Sequence, residues 1–61
     1  MIKLKTLYKH YKNQKDYETI DFCKMQVNDV WLDAVIYRSI EGALYVRSLE
    51  DFEEKFSLTF W

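Results

Sequence analysis

The sequence predicts a mainly β fold: a strongly bent antiparallel sheet of four or five strands with one short helix. Three observations carry this. β-branched and aromatic residues recur with a period of two in several short runs. Turn signals separate those runs, the sharpest being Asn28-Asp29 and Glu41-Gly42, the latter holding the only glycine. Proline is absent, which suits a chain whose backbone donors are mostly used in a sheet.

Taken in order, residues 7–12 (Leu-Tyr-Lys-His-Tyr-Lys) alternate aromatic and basic side chains, the pattern of a short strand with one wet face. Residues 13–16 are polar and turn-like. Residues 17–27 return to strand character, but Ile20, Phe22 and Cys23 break the alternation, and a bulge near 21–23 accounts for that. Asn28-Asp29 is a two-residue hairpin turn. Residues 30–40 form the longest β run. Val30, Leu32, Ala34, Ile36 and Ile40 share one parity and read as its core face, leaving Trp31, Val35 and Tyr37 on the more open face. Residues 43–49 pair with this run across Glu41-Gly42. Leu49, Phe52 and Phe56 then follow at helical spacing, with Ser48 as N-cap and acids in the first turn, so a short helix is predicted over 49–56. The stretch 57–61 alternates again, as a closing strand or a self-association strand. Short meandering connections between these elements draw the outline of a strongly bent sheet or an SH3-like barrel.

Sixty-one residues make one small domain, 1–61. A chain of this size hides only about 60% of its unfolded surface and is marginally stable. One cysteine and one histidine supply neither an internal disulfide nor a structural zinc site, so no cofactor or metal is expected. The 18% of aromatic residues are the available compensation, with homo-oligomerisation as the other. A lone reduced cysteine, no secretory pattern and no long apolar run point to a cytoplasmic, non-membrane protein. The net charge of −1 and the acidic segment Glu50 to Glu54 argue against nucleic acid as a partner, although Lys3, Lys5, Lys9, Lys12 and Lys15 form a basic stripe that keeps a weakly nucleic-acid-binding barrel as an alternative.

Catalysis finds no support: there is no Cys-His-acid set, and Cys23 reads as a buried, inert thiol. A non-enzymatic binding role fits better. Tyr8, His10, Tyr11 and Lys12 lie on the first strand, Tyr37 and Arg38 on the third, Tyr45 and Arg47 on the fourth. Guanidinium groups hold phosphates bidentately and aromatic rings stack on bases, so these eight residues are the candidate site for an anionic, nucleotide-like small molecule. Acidic partners for Arg38 and Arg47 would instead mark them as structural. Trp31, Phe60 and Trp61 are candidate anchors for a protein interface, either with a host protein or with a second copy.

The segments Tyr8-Lys9-His10-Tyr11-Lys12, Val35-Ile36-Tyr37-Arg38 and Leu44-Tyr45-Val46-Arg47-Ser48-Leu49-Glu50-Asp51-Phe52 resemble a family of small bacterial and phage proteins of unknown function. Its members read Y-R-H-Y-K-G, then V-V-Y-R or V-V-Y-Q, then L-W-V-R-P-L-x-M-F. The resemblance spans roughly residues 7–56, with Asn13, Tyr45 and Ser48 replacing the usual Gly, Trp and Pro, and a poor match over 21–29. It implies a small SH3-like β fold and a phage or prophage setting, and brings no activity. In that setting, small proteins act stoichiometrically. One mode sequesters a host immune nucleotide signal; another binds and inhibits or adapts a host protein.

Overall fold

The computed structural model describes residues 2–59. Its elements in chain order are β1 (Leu7–His10), β2 (Asp16–Val27), β3 (Val30–Ser39), β4 (Leu44–Ser48), α1 (Leu49–Lys55) and β5 (Phe56–Leu58). They form one open, five-stranded sheet in the order β4-β3-β2-β1-β5, with every neighbouring pair antiparallel. The last strand returns beside the first, and α1 links the two edge strands β4 and β5; of the two expected outlines this is the bent open sheet, not a closed barrel. Phe60 and Trp61 lie outside the described residues.

Local chemistry sets the connections. Asn28 and Asp29 both take positive φ, 50° and 65°, so β2 and β3 join through a two-residue turn between the facing residues Val27 and Val30. The β3–β4 connection is one residue longer than its sequence signal. Ser39 N–H donates to Ala43 O, Gly42 N–H donates to Ser39 O, and Gly42 sits at φ 98°, where a side chain would be strained. The register of β2 on β3 slips between Thr19 and Asp21, so the bulge falls at Ile20, slightly earlier than the sequence suggests. Ser48 caps α1: its hydroxyl accepts the Asp51 N–H at 3.2 Å. Seven residues are too few for a helix stable on its own. Packing holds it, through Phe52.

The sheet is bent far from flat. In a flat sheet β3 and β5 would lie roughly 14 Å apart, three strand spacings. Yet the Tyr37 ring on β3 meets the Phe56 ring on β5 at 5.2 Å. The bend wraps the sheet's concave face around Phe52, which is fully buried among Tyr8, Tyr37 and Phe56, at ring distances of 5.3, 5.2 and 4.1 Å. Ile2, Val35, Leu4, Tyr17, Leu49 and Leu58 complete this core.

The core face of β3 is therefore the opposite of the one its own pattern suggests. Val35 and Tyr37 are buried, whereas Val30 and Ile40 are exposed and Leu32 and Ile36 only half-buried; Ala34 alone of the expected set is fully buried. Direct cross-strand partners share a face. On the Tyr37 side the register collects Tyr8, Tyr17, Thr19, Tyr45, Phe56 and Leu58 from the other strands. That summed aromatic area outweighs the aliphatic set of a single strand, and it is the side α1 covers.

Thr19 is the one fully buried polar side chain named in this core. Its hydroxyl donates to Lys3 O at 2.6 Å and accepts Thr6 N–H at 3.2 Å, while its backbone carbonyl accepts Lys5 N–H at 2.7 Å. These bonds tie residues 3–6 onto β2. Thr19→Val keeps the shape but leaves the partly buried Thr6 N–H and Lys3 carbonyl without their hydroxyl partner, and is expected to cost about 1 kcal/mol, read as a lower urea midpoint.

Candidate ligand-binding site

One pocket of about 180 Å³ opens on the concave face beside the core, lined by His10, Asn13, Tyr17, Tyr37, Tyr45, Arg47 and Phe56. Five strands or their ends contribute to it, because the bend brings β5 across to β3 and β4. Tyr17 forms one wall, edge-on to Tyr37, Tyr45 and Phe56 at 5.5, 6.1 and 5.5 Å. Tyr37 and Tyr45, directly paired across β3 and β4, stack at 5.5 Å. Asn13 Nδ2 donates to the Tyr17 hydroxyl at 3.2 Å. A second pocket of about 400 Å³, lined by Gln14, Lys15, Asp16, Ser39, Ile40 and Glu41, shares Tyr17 and Tyr45 with the first.

Arg47 is the fixed cation of the first pocket. Its Nε donates to the Tyr37 hydroxyl at 3.1 Å, one terminal nitrogen donates to Asp51 at 2.5 Å, and the guanidinium stands 5.6 Å from the Phe56 ring centre. The Tyr37 hydrogen bond and the Asp51 carboxylate raise its pKa further, so it stays charged. Lys55 donates to the other Asp51 oxygen at 3.0 Å. One carboxylate thus serves two cations, and both bonds hold the Asp51 pKa below the usual carboxylate range. The cluster keeps a net positive charge. Arg47 uses two of its five N–H donors in these bonds; the other three have no partner among the described residues.

His10 senses that charge. Its ring packs edge-on against Phe56 at 4.8 Å and stacks on Tyr11 at 5.2 Å. Nδ1 accepts the Lys12 backbone N–H at 3.1 Å, which leaves Nε2 as the protonated nitrogen of the neutral ring. Desolvation, then Arg47, Lys12 and Lys55, lower its pKa from 6.5. In the unfolded chain His10 binds its proton at higher pH, so its contribution to stability is complete above pH 6.5 and is lost as pH falls through the folded-state pKa. Urea midpoints are expected to drop between neutral pH and about pH 5, and His10→Gln to flatten that dependence.

Of the residues the sequence nominates, His10, Tyr37, Tyr45 and Arg47 come together in this pocket. Tyr11 and Lys12 are exposed and do not line it; they touch it only through His10, Tyr11 stacking on the ring and the Lys12 N–H donating to Nδ1. Tyr8 is not in it: its ring is core, and its hydroxyl accepts Lys3 N–H at 2.9 Å. Arg38 is not in it either. It follows Tyr37 in a strand and so points to the opposite face, where it bonds Glu18 at 2.5 Å and borders another pocket, which shares Asp16, Ser39, Ile40 and Glu41 with the second one but no residue with the Arg47 pocket. Asn13, Tyr17 and Phe56 were missed by the sequence reading. Tyr17 is placed on the aromatic face by its pairing with Tyr8 and its two-residue spacing from Thr19, and that pairing is not readable from the sequence.

A family model described as "Protein of unknown function (DUF1653)" matches residues 6–59. The chain belongs to that family. The DUF1653 match runs from the residue before β1 to the one after β5 and so contains every pocket residue. No curated protein and no solved structure matches the chain. Cys23, expected to be buried, is a half-buried free thiol at the edge of an apolar pocket with Phe22 and Leu49, away from His10's pocket. Among the described residues no group of three His, Cys, Asp or Glu side chains is placed to hold a metal ion, and no helix is long and apolar enough to cross a membrane.

Proposed function

We propose that this DUF1653 protein is a non-enzymatic binding protein that captures an anionic, nucleotide-like small molecule in the concave pocket. The observation that carries the reading is Arg47. It is held by Tyr37 and Asp51, has three N–H donors without a partner among the described residues, and lines the aromatic pocket in a positively biased cluster. An anion there meets the same Arg47, Lys12 and Lys55 charges that depress the His10 pKa. The first pocket alone has room for a phosphate or a single ring, since sites for drug-sized ligands run to about 300–1,000 Å³. Continued past Tyr17 and Tyr45 into the second pocket, the groove reaches that range. A phosphate at Arg47 and a base against Tyr45 fit its chemistry. In a phage or prophage setting, capture of this kind in the host cytoplasm would act by stoichiometry, sequestering a nucleotide signal used in host defence.

Thermal unfolding in the presence of nucleoside monophosphates, cyclic nucleotides and inorganic phosphate tests this. A ligand selective for the folded state raises the midpoint. The shift is expected to grow as pH falls, because a bound anion favours protonated His10. No shift with any of them, at concentrations well above micromolar and at acidic pH, rejects the reading.

A second reading rests on the β2–β3 hairpin tip. Trp31 is 63% exposed there, next to exposed Val27 and Val30 and beyond the cover of α1. Such a tip suits an anchor in a pocket of a host protein. Loss of a host partner with Trp31→Ala, while nucleotide binding persists, would favour it.

A further inference from the structure

We infer that β4 is a self-association edge, through which two copies of this chain pair antiparallel about a two-fold axis at Tyr45. β4 is an outer strand of the open sheet. Ser39 N–H donates to Ala43 O, so the backbone groups of Ala43 face β3. Alternation along an antiparallel ladder then turns those of Tyr45 and Arg47 toward β3 as well, and those of Leu44 and Val46 outward. The side chains beside these open groups are apolar and exposed: Leu44 65%, Tyr45 46% and Val46 50%.

An open edge of this kind is usually blunted by a lysine, a proline or a bulge. From Leu44 to Val46, β4 has none of these, and its register on β3 is unbroken. The opposite edge is only the three residues of β5.

The occupant that fits is a second copy, because the edge is self-complementary. Facing Leu44 to Val46 of the partner copy, and Val46 to Leu44 of the partner copy, makes all the outward N–H and C=O groups of both residues bond reciprocally. Tyr45 then lies on the axis opposite its own copy. Arg47 falls opposite Ala43 of the partner copy, so no like charges meet. The same face of each strand carries Leu44 beside Val46 of the other copy. A five-residue edge sits at the small end of interface sizes, so the dimer forms and dissociates with concentration. Tyr45 also lines both pockets, and the two-fold sets the two grooves side by side.

Sedimentation over a hundredfold concentration range is expected to show a monomer–dimer equilibrium. Val46→Pro removes an outward N–H without touching the β3 ladder, twice per dimer by symmetry, and is expected to weaken association roughly tenfold or more. Leu44→Lys, at an exposed position, is expected to do the same by charge repulsion, and covers the case in which the proline variant fails to fold. Register is read by oxidative cross-linking in a Cys23→Ser background. Tyr45→Cys should form a covalent dimer, since facing non-hydrogen-bonded residues lie about 4.5 Å apart at Cα, and Val46→Cys should not. A protein that stays monomeric throughout, or a dimer that is insensitive to both β4 variants and not cross-linked by Tyr45→Cys, overturns the assignment.

Discussion

Phe52→Ala is expected to leave the protein largely unfolded at room temperature. Phe52 is fully buried, and it is the only buried side chain of α1. Truncating a buried phenylalanine costs about 3–5 kcal/mol. A 61-residue domain has roughly 3–9 kcal/mol in total, at the usual stability per residue. The loss reaches beyond one contact, because Phe52 joins the rings of Tyr8, Tyr37 and Phe56, which belong to β1, β3 and β5. Without it, nothing else buried holds the two-turn helix across the open sheet. Circular dichroism of the purified variant reads this directly. Phe52→Leu, which keeps most of the volume, is expected to remain folded with a reduced thermal midpoint.

Arg47→Ala is expected to weaken nucleotide binding about tenfold to a hundredfold, the worth of a charge-assisted hydrogen-bond pair. Arg47→Lys should recover only part of this, because an ammonium cannot reproduce the planar fork. The effect on stability should be the smaller one, because the Arg47–Asp51 pair is open to solvent and screened, and such pairs contribute little to folding. Two further variants separate binding from structure. Asp51→Asn removes the carboxylate that Arg47 and Lys55 share, and should strengthen anion binding. Arg38→Ala, on the opposite face with Glu18, should leave binding unchanged. Calorimetric titration of the four variants with one nucleotide gives the order Asp51→Asn, then wild type with Arg38→Ala, then Arg47→Lys, then Arg47→Ala.

Element identity was legible in the sequence because it depends on local chemistry. The Asn28-Asp29 turn, the Ser48 cap and the helical placement of Leu49 and Phe52 act within a few residues of chain, and each lies where the sequence places it; Phe56, expected as the last apolar residue of the helix, is instead extended and opens β5, where it pairs with His10 of β1. The face of β3 was not legible from β3 alone. Val30, Ile36 and Ile40 look like a core set until the register adds Tyr8, Tyr17, Tyr45 and Phe56 to the other side. Burial is decided by the sum over strands, and that sum needs the pairing.

The candidate site divides along the same line. Tyr45 and Arg47 are two apart on one strand and share a face, so their union was readable. Tyr37 and Arg38 are adjacent and cannot share a pocket, which strand geometry alone establishes. The contributions of Phe56 and Asn13 were beyond reach of the sequence. They depend on a bend that carries β5 across the concave face, and no local pattern encodes it. Both arginines do have acidic partners, the mark of a structural role. For Arg38 the pairing is on a face with no aromatic wall. Arg47 also lines the aromatic pocket, and there the two roles coincide.

The most direct measurement is an NMR titration of the Arg47 side-chain Nε–Hε resonance with a nucleoside monophosphate. Nε already donates to Tyr37, so this signal should be resolved and slow to exchange in the free protein. Ligand capture predicts that it shifts in a saturable manner, together with the ring signals of His10, Tyr17 and Tyr45, while the Arg38 signal stays fixed. An Arg47 resonance that does not move while the nucleotide is raised well above micromolar, or one that moves no more than Arg38, would contradict the assignment of this pocket.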